Sequence, residues 1–198
     1  MSDARVTVRD VESPPERSRC GWAESAPEYV VYHDEEWGTP LHGDDALFER
    51  LCLEAFQSGL SWITILRKRP AFRAAFAGFA IDAVASFGDA DEARLMADAS
   101  IVRNRAKIAA AVRNARAVQQ LPEGLSALLW SFAPTGPRPR PATLADVPAT
   151  SEESVAMAKE LKRRGFVFVG PTTAYALMQA TGMVDDHVAG CFRAGAGG

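Results

Sequence analysis

The chain has 198 residues, 47 % of them hydrophobic and 24 % charged, with a net charge of −3. That is an ordinary soluble balance with room for one substantial core, and no apolar run approaches the length of a membrane span. Three cysteines make no disulfide framework and point to a reducing cytoplasm, while the negative total argues against a simple basic nucleic-acid scaffold.

Residues 1–18, with Asp3, Glu12, Pro14 and Pro15 and little apolar content, read as a loose tail. From there the periodicity is helical. Asp44 or Asp45 is placed to cap a helix carrying Leu47, Phe48, Leu51, Cys52 and Ala55 on one side. Gly59 ends it, and a second run extends from Ser61 to about Arg69. Pro70 suits the opening of a third, with Phe72, Phe76 and Phe79 as its apolar contacts. Short helices are expected over Ile81–Phe87 and Asp91–Ala99, then a long one over 101–120 and a short one over Leu125–Phe132. The proline-rich stretch 134–141 is a loop. Thr150 with Glu153 reads as a capping box for a helix to Arg164, and a last helix runs from Pro171 to Ala180. Only Phe166–Val169 alternates like a strand, and it is short and alone, so the fold class is all-α.

Cys20, His33, His187 and Cys191 stand out in a chain with three cysteines and three histidines. Cysteine and neutral histidine are the preferred ligands of tetrahedral zinc, and His187 and Cys191 lie one helical turn apart. Two thiolates and two imidazoles fill all four positions, which suits a structural Zn2+ clasping the two ends of the chain together. One lobe would then be built from both termini, with a middle lobe inserted. Spacing alone leaves the alternative of buried thiols beside an unrelated histidine.

Helix, Gly165 to Gly170, then Pro171-Thr172-Thr173 and another helix is a helix–hairpin–helix pattern. The free N–H groups of that helix start, with the two threonine hydroxyls, form a phosphate site that does not require a basic protein. An ordinary αα-hairpin has the same outline. Glu54 falls at the edge of its helix's apolar stripe, as a boundary glutamate would. It is also followed closely by Gln57 and Gly59-Leu60-Ser61-Trp62, while Trp22, Tyr29, Tyr32 and Trp37 crowd the segment that bears Cys20 and His33. Aromatics near a helix end are more often core than ligand contacts, but an aromatic cage with one carboxylate is the natural receptor for a flat cationic ring.

Five blocks carry a resemblance. They are Arg19-Cys20-Gly21-Trp22, Tyr32 through Gly38, Glu54 through Gln57 to Gly59-Leu60-Ser61-Trp62, Arg164 through Gly170, and Asp186-His187-Val188 to Cys191. In order and spacing they closely resemble bacterial DNA-3-methyladenine glycosylase I, of the helix–hairpin–helix glycosylase superfamily, over roughly residues 19–191. The resemblance implies a two-lobed helical glycosylase unit spanning 19–198, with Cys20, His33, His187 and Cys191 holding structural zinc. It implies that Glu54 recognises the methylated adenine, that Tyr32 and Trp62 enclose it with Tyr29 close by, and that Leu60 enters the DNA as a wedge. Gly165, Gly170, Thr172 and Thr173 fall in its DNA-binding hairpin. Where the wider superfamily keeps a catalytic aspartate, this branch commonly has asparagine, and Asp185 stands there in this chain.

The expected partner is double-stranded DNA containing alkylated adenine, met by a monomer. No lysine is placed for a Schiff base, so hydrolysis without strand cleavage is expected. A zinc-stapled DNA-binding module without chemistry would keep the hairpin and the metal set but would not need Glu54. A catalytic zinc hydrolase would need one metal position open.

Overall fold

The computed structural model describes residues 17–136 and 138–195, so most of the expected tail, residues 1–16, lies outside the described residues. The described residues form α1 (Pro27–Glu35), α2 (Asp44–Gln57), α3 (Trp62–Ala75), α4 (Ile81–Ala85), α5 (Asp89–Ala97), α6 (Arg105–Val118), α7 (Leu125–Trp130), α8 (Glu152–Arg163) and α9 (Pro171–Ala180), with short 3-10 turns and no strand. The all-α expectation holds, and among the described residues no helix is long and apolar enough to cross a membrane.

Helix α2 sits at the centre, against α3, α4, α6, α7 and α9. Its residues Leu47, Phe48, Arg50, Leu51, Cys52, Leu53, Glu54, Ala55 and Phe56 are all buried. The sequence reading of a one-sided apolar stripe therefore understates it: a helix packed on every side buries even its polar positions. The acids at its start serve elsewhere. Gly43 is its N-cap, while Asp44 Oδ1 accepts from Ser126 N at 2.8 Å and Asp45 Oδ1 from Ile81 N at 3.0 Å. Each thus satisfies a free amide at the start of α7 or α4, and both still lie in the favourable first turn of α2.

Three further expectations shift. Pro70 lies inside α3 rather than opening a helix. The missing hydrogen bond to the Leu66 carbonyl is outweighed by burial of Phe72 and Phe76 from the same run, both fully enclosed. Helix α6 starts at Arg105 because the Asn104 side chain accepts from Lys107 N, leaving Ile101 in the core but outside the helix. The box at α8 is Ser151 with Ser154, one residue later than expected, since Ser151 Oγ accepts from Ser154 N while Ser154 Oγ accepts from Ser151 N.

The hairpin between α8 and α9 has no strand. Helix α8 closes through Gly165, whose φ of +94° is costly for any other residue. Gly165 N donates to Lys162 O and Phe166 N to Leu161 O, the double hydrogen bond of a Schellman motif, with Phe166 buried beneath it. The two ends of the chain meet as expected. Phe192 N donates to Ser18 O, Gly38 N to Gln179 O and Leu41 N to Thr181 O, tying residues 18–41 to the segment around and after α9.

Candidate functional site

Where the N-terminal segment crosses the end of the chain, Cys20, His33, His187 and Cys191 are all buried, with their ligand atoms within 4.8 Å of one another. Cys191 Sγ lies 3.3 Å from His33 Nε2 and 3.5 Å from His187 Nδ1, and Cys20 Sγ lies 3.6 Å from His187 Nδ1. Zinc bonds of about 2.3 Å to sulfur and 2.0–2.1 Å to nitrogen at a tetrahedral angle set such edges at about 3.5 Å. The donor set therefore fits zinc. The outer contacts fix the rings for that role. His187 Nε2 donates to Trp37 O, so Nδ1 is the acceptor nitrogen, and His33 Nδ1 faces Asp34 Oδ1 at 2.8 Å, so Nε2 is the acceptor nitrogen, 3.4 Å from Cys20 N. Asp34 is gripped in turn by the Arg19 guanidinium at 2.7 and 2.9 Å. Burial lowers His187 to about 4, which keeps its ring neutral, as a ligand must be. Burial also raises the Cys20 thiol to about 12, a proton that a bound cation would displace.

Beside this cluster opens a cavity of about 390 Å3. Helix α1, which sequence reading left unassigned, contributes Tyr29 and Tyr32; the segments flanking it contribute Trp22 and Trp37, α2 contributes Glu54 and α3 contributes Trp62. Ala176 and Gln179 of α9 complete the wall, with Leu144 and Val147. Tyr32 and Trp62 have ring centroids 5.4 Å apart, and Trp22 meets Tyr29 edge to face at 5.5 Å. Tyr29 is held by its hydroxyl, which accepts from Ile63 N at 2.8 Å in the first turn of α3.

Glu54 is 6 % exposed, and that exposure is toward the cavity it lines. Its burial raises the carboxyl to about 7, partly offset by the charge of Arg50 one turn earlier. Arg50 does not pair with Glu54. Its guanidinium donates to Tyr32 Oη and to Glu36, which also takes a two-pronged grip from Arg69 at 2.5 and 2.7 Å. Arg50 also lies over the Tyr32 and Trp62 rings, 5.3 and 5.9 Å from their centroids. The result is a rigid aromatic wall around a carboxylate left available to something else. The Trp62 indole N–H is also buried without a partner.

The methyladenine glycosylase family model matches residues 22–194, which takes in the cavity and three of the four metal-site residues. The chain belongs to the methyladenine glycosylase family. It is 47 % identical over 177 residues to DNA-3-methyladenine glycosylase 1 of Escherichia coli (strain K12), covering 87 % of this chain and 95 % of that protein. It is 43 % identical over 178 residues to the DNA-3-methyladenine glycosylase of Haemophilus influenzae, covering 88 % and 96 %. Among solved structures, a crystal structure of 3-methyladenine DNA glycosylase I superposes with a TM-score of 0.84 at 44 % identity, covering 88 % of this chain and 98 % of that one. A variant of 3-methyladenine DNA glycosylase I in complex with 3-methyladenine superposes with a TM-score of 0.83 at 34 % identity, covering 89 % and 97 %.

In this methyladenine glycosylase the remaining residues singled out by sequence lie apart from the cavity wall. Leu60 is 41 % exposed on the turn after α2. Gly165 and Gly170 bracket the hairpin, and Thr172 and Thr173 stand in the first turn of α9, Thr172 exposed. Asp185 does not line the cavity. Its carboxylate accepts from Arg140, from Gly195 N and from His187 N, so it braces the metal-ligand segment. Its neighbour Asp186 is the buried one, accepting from Tyr175 Oη at 2.7 Å and from Gln179 Nε2 at 2.8 Å. It thereby fixes Gln179 in the cavity wall. Sequence reading missed Gln179, Asp186 and Arg50. The available signal was Tyr175 and Gln179 one turn apart on α9, and Arg50 one turn before Glu54.

Gly38 ties the two sites together. It sits at φ +74°, and a Cβ there would lie 2.9 Å from His187 Nε2. Gly38→Ala is expected to displace the His187 ring from Trp37 O and to lower zinc affinity by about 10–100-fold, the usual effect of disturbing a ligand's outer contact. Competition with a chromogenic chelator measures it.

Proposed function

We propose that this chain excises 3-methyladenine from alkylated double-stranded DNA by hydrolysing the N-glycosidic bond; two relatives are DNA-3-methyladenine glycosylases by name. The observation that carries the proposal is Glu54: a buried carboxylate facing a cavity walled by Tyr32, Trp62 and Tyr29, with its nearest arginine engaged elsewhere. Such a site favours a flat ring that stacks, carries positive charge and offers amino hydrogens. A 3-methylated adenine in DNA has those properties.

The target atom is unreachable inside a duplex, so the nucleotide is flipped into the cavity, at a cost of a few kcal/mol that a lesion reduces. Exposed Leu60 is suited to fill the vacated stack. Gly165 to Gly170 and the start of α9, with Thr172 and Thr173, are suited to hold the phosphate backbone. The methylated base is already a good leaving group, since it departs neutral. Glu54 serves first in recognition, accepting from the exocyclic amine, and second in stabilising the positive sugar as the bond breaks. Water attacks C1′, the bond to the base breaks with its electron pair, and the proton from water goes to solvent.

The four metal-site residues would hold a structural zinc, because two thiolates and two imidazoles leave no open position for water. Residues 19–198 would act as one glycosylase unit, a monomer working in the cytoplasm, with Asp185 supporting the metal site rather than the reaction. The state of the strand tests hydrolysis without strand cleavage. Methylated duplex treated with the protein is expected to stay intact on a denaturing gel and to break only after alkali. Breaks without alkali would contradict simple hydrolysis, and none with alkali would contradict excision.

A further inference from the structure

Helix α6 contributes no residue to the cavity, yet it carries three side chains that reach two distant loops. At one end, Lys107 Nζ donates to the Phe56 and Ser58 carbonyls at 2.9 and 2.6 Å. Phe56 is the next-to-last residue of α2, and Ser58 is its C-cap, where the turn that leads to Leu60 begins. Two turns along, Asn114 grips both backbone polar groups of one hairpin residue, Val167. Its Oδ1 accepts from Val167 N at 2.9 Å and its Nδ2 donates to Val167 O at 3.0 Å. Arg113 adds a bond from Nε to Gly165 O at 3.0 Å.

Lys107 and Asn114 are 8 % and 1 % exposed, unusual for both residue types. Burying an ammonium costs free energy that packing alone would not ask for. Seven residues apart, they point to the same side of α6, separated along its axis by about 10 Å at 1.5 Å per residue. Between them the helix contributes Ile108 and Ala111 to the core, and Ala115 just beyond, so it cannot slide or turn independently.

We infer that α6 is a spacer: Lys107 and Asn114 are positioning residues that hold the Ser58–Leu60 turn and the Gly165–Val167 hairpin at a fixed separation, so that both engage one bent duplex together. The inference rests on the reading of those two loops as the DNA-contacting elements. A stack-filling residue and a phosphate grip work together only if the gap between them matches the distorted DNA, and a protein that meets DNA with its loops already in place loses less order on binding. Phe168, next to the clamped Val167, is 44 % exposed and held at φ +58°, a strained conformation for that residue. The Asn114 clamp on the preceding residue supplies a restraint that such strain requires.

The test compares two affinities in Lys107→Met, Asn114→Leu and the double variant. One is for a methylated duplex, by fluorescence anisotropy; the other is for free 3-methyladenine, by tryptophan quenching. Each single variant is expected to bind duplex at least tenfold more weakly while binding the free base within twofold of the native protein, because the cavity lies outside α6. The double variant is expected to be little worse than the weaker single, since one broken end already releases the spacing. Should Lys107→Met fail to fold, Asn114→Leu and Lys107→Arg make the same comparison. Unchanged duplex affinity, or a parallel loss of both affinities, overturns the inference, and so does a double variant whose loss is the product of the singles. Failure of the excision reading registers separately, as a native protein that binds duplex and releases no base.

Discussion

Stripping metal from this protein is expected to lower its thermal midpoint by about 8–16 °C, and restoring zinc to recover it. The magnitude follows from linkage. An ion present at a thousand times its dissociation constant stabilises the folded state by about 4 kcal/mol. Each kcal/mol moves a chain of this size by about 2–4 °C. Cys20 and His33 lie beside His187 and Cys191, so an ion held there would close nearly the whole described chain on itself. His33 sits at the end of α1, the helix that supplies Tyr29 and Tyr32, and Trp37, whose carbonyl holds His187, also lines the cavity. Loss of metal should therefore loosen the aromatic wall as well as the fold, and base release should decline in the same chelator titration. Cys20→Ser is expected to reproduce most of the midpoint loss, read by calorimetry against the zinc-loaded native protein. A midpoint indifferent to chelator would contradict a structural ion.

Glu54→Ala is expected to slow base release by about 10²–10³-fold, the usual cost of deleting one preorganised electrostatic group from a dry site. The isosteric Glu54→Gln should lose activity too, because it lacks the charge. It should also gain stability, with a characteristic pH dependence. The Glu54 carboxyl rises from its ordinary 4.5 to about 7 on folding, so between those values the folded protein binds the proton that the unfolded chain has released. The native protein is thus favoured at low pH and loses that advantage as pH rises from 4.5 through 7. Above 7 the buried charge is a standing cost of about 3 kcal/mol. Glu54→Gln removes it, so the variant should outlast the native protein at pH 8 and show little difference near pH 4.5, by denaturant unfolding. The same ionisation controls activity in the opposite sense. Release under limiting substrate should rise through pH 7 and level off above it. Once a cationic base is bound, its charge favours the carboxylate, and the limb measured at saturation should move to lower pH.

Much of this was legible in the sequence, for identifiable reasons. The Cys20, His33, His187 and Cys191 cluster could be found because cysteine and histidine are scarce and chemically narrow, so four of them at helical and terminal spacings carry meaning without a fold. The helices of the middle of the chain followed from apolar period. Helix α1 escaped because its residues face two sites at once: Tyr32 and His33, adjacent in sequence, are both buried, one toward the cavity and the other toward Cys20, His187 and Cys191. That leaves no clean polar face to read. Glu54 looked like a boundary residue because the surroundings that enclose it come from α3 and α9, which no local pattern announces. The same is true of Asp44 and Asp45, plausible caps for their own helix whose side chains are taken by Ser126 and Ile81 instead. Gln179, Asp186, Lys107 and Asn114 depend wholly on tertiary contacts, and such long-range polar partnerships leave no periodic trace.

The most direct measurement is chromatographic detection of free base released from methylated duplex by the folded, zinc-loaded protein, with Glu54→Ala alongside. Rapid appearance of 3-methyladenine with the native protein, and a loss of at least a hundredfold in the variant, is the result these sites require. Equal release by both proteins would remove Glu54 from the reaction, and no release by the native protein would contradict excision itself.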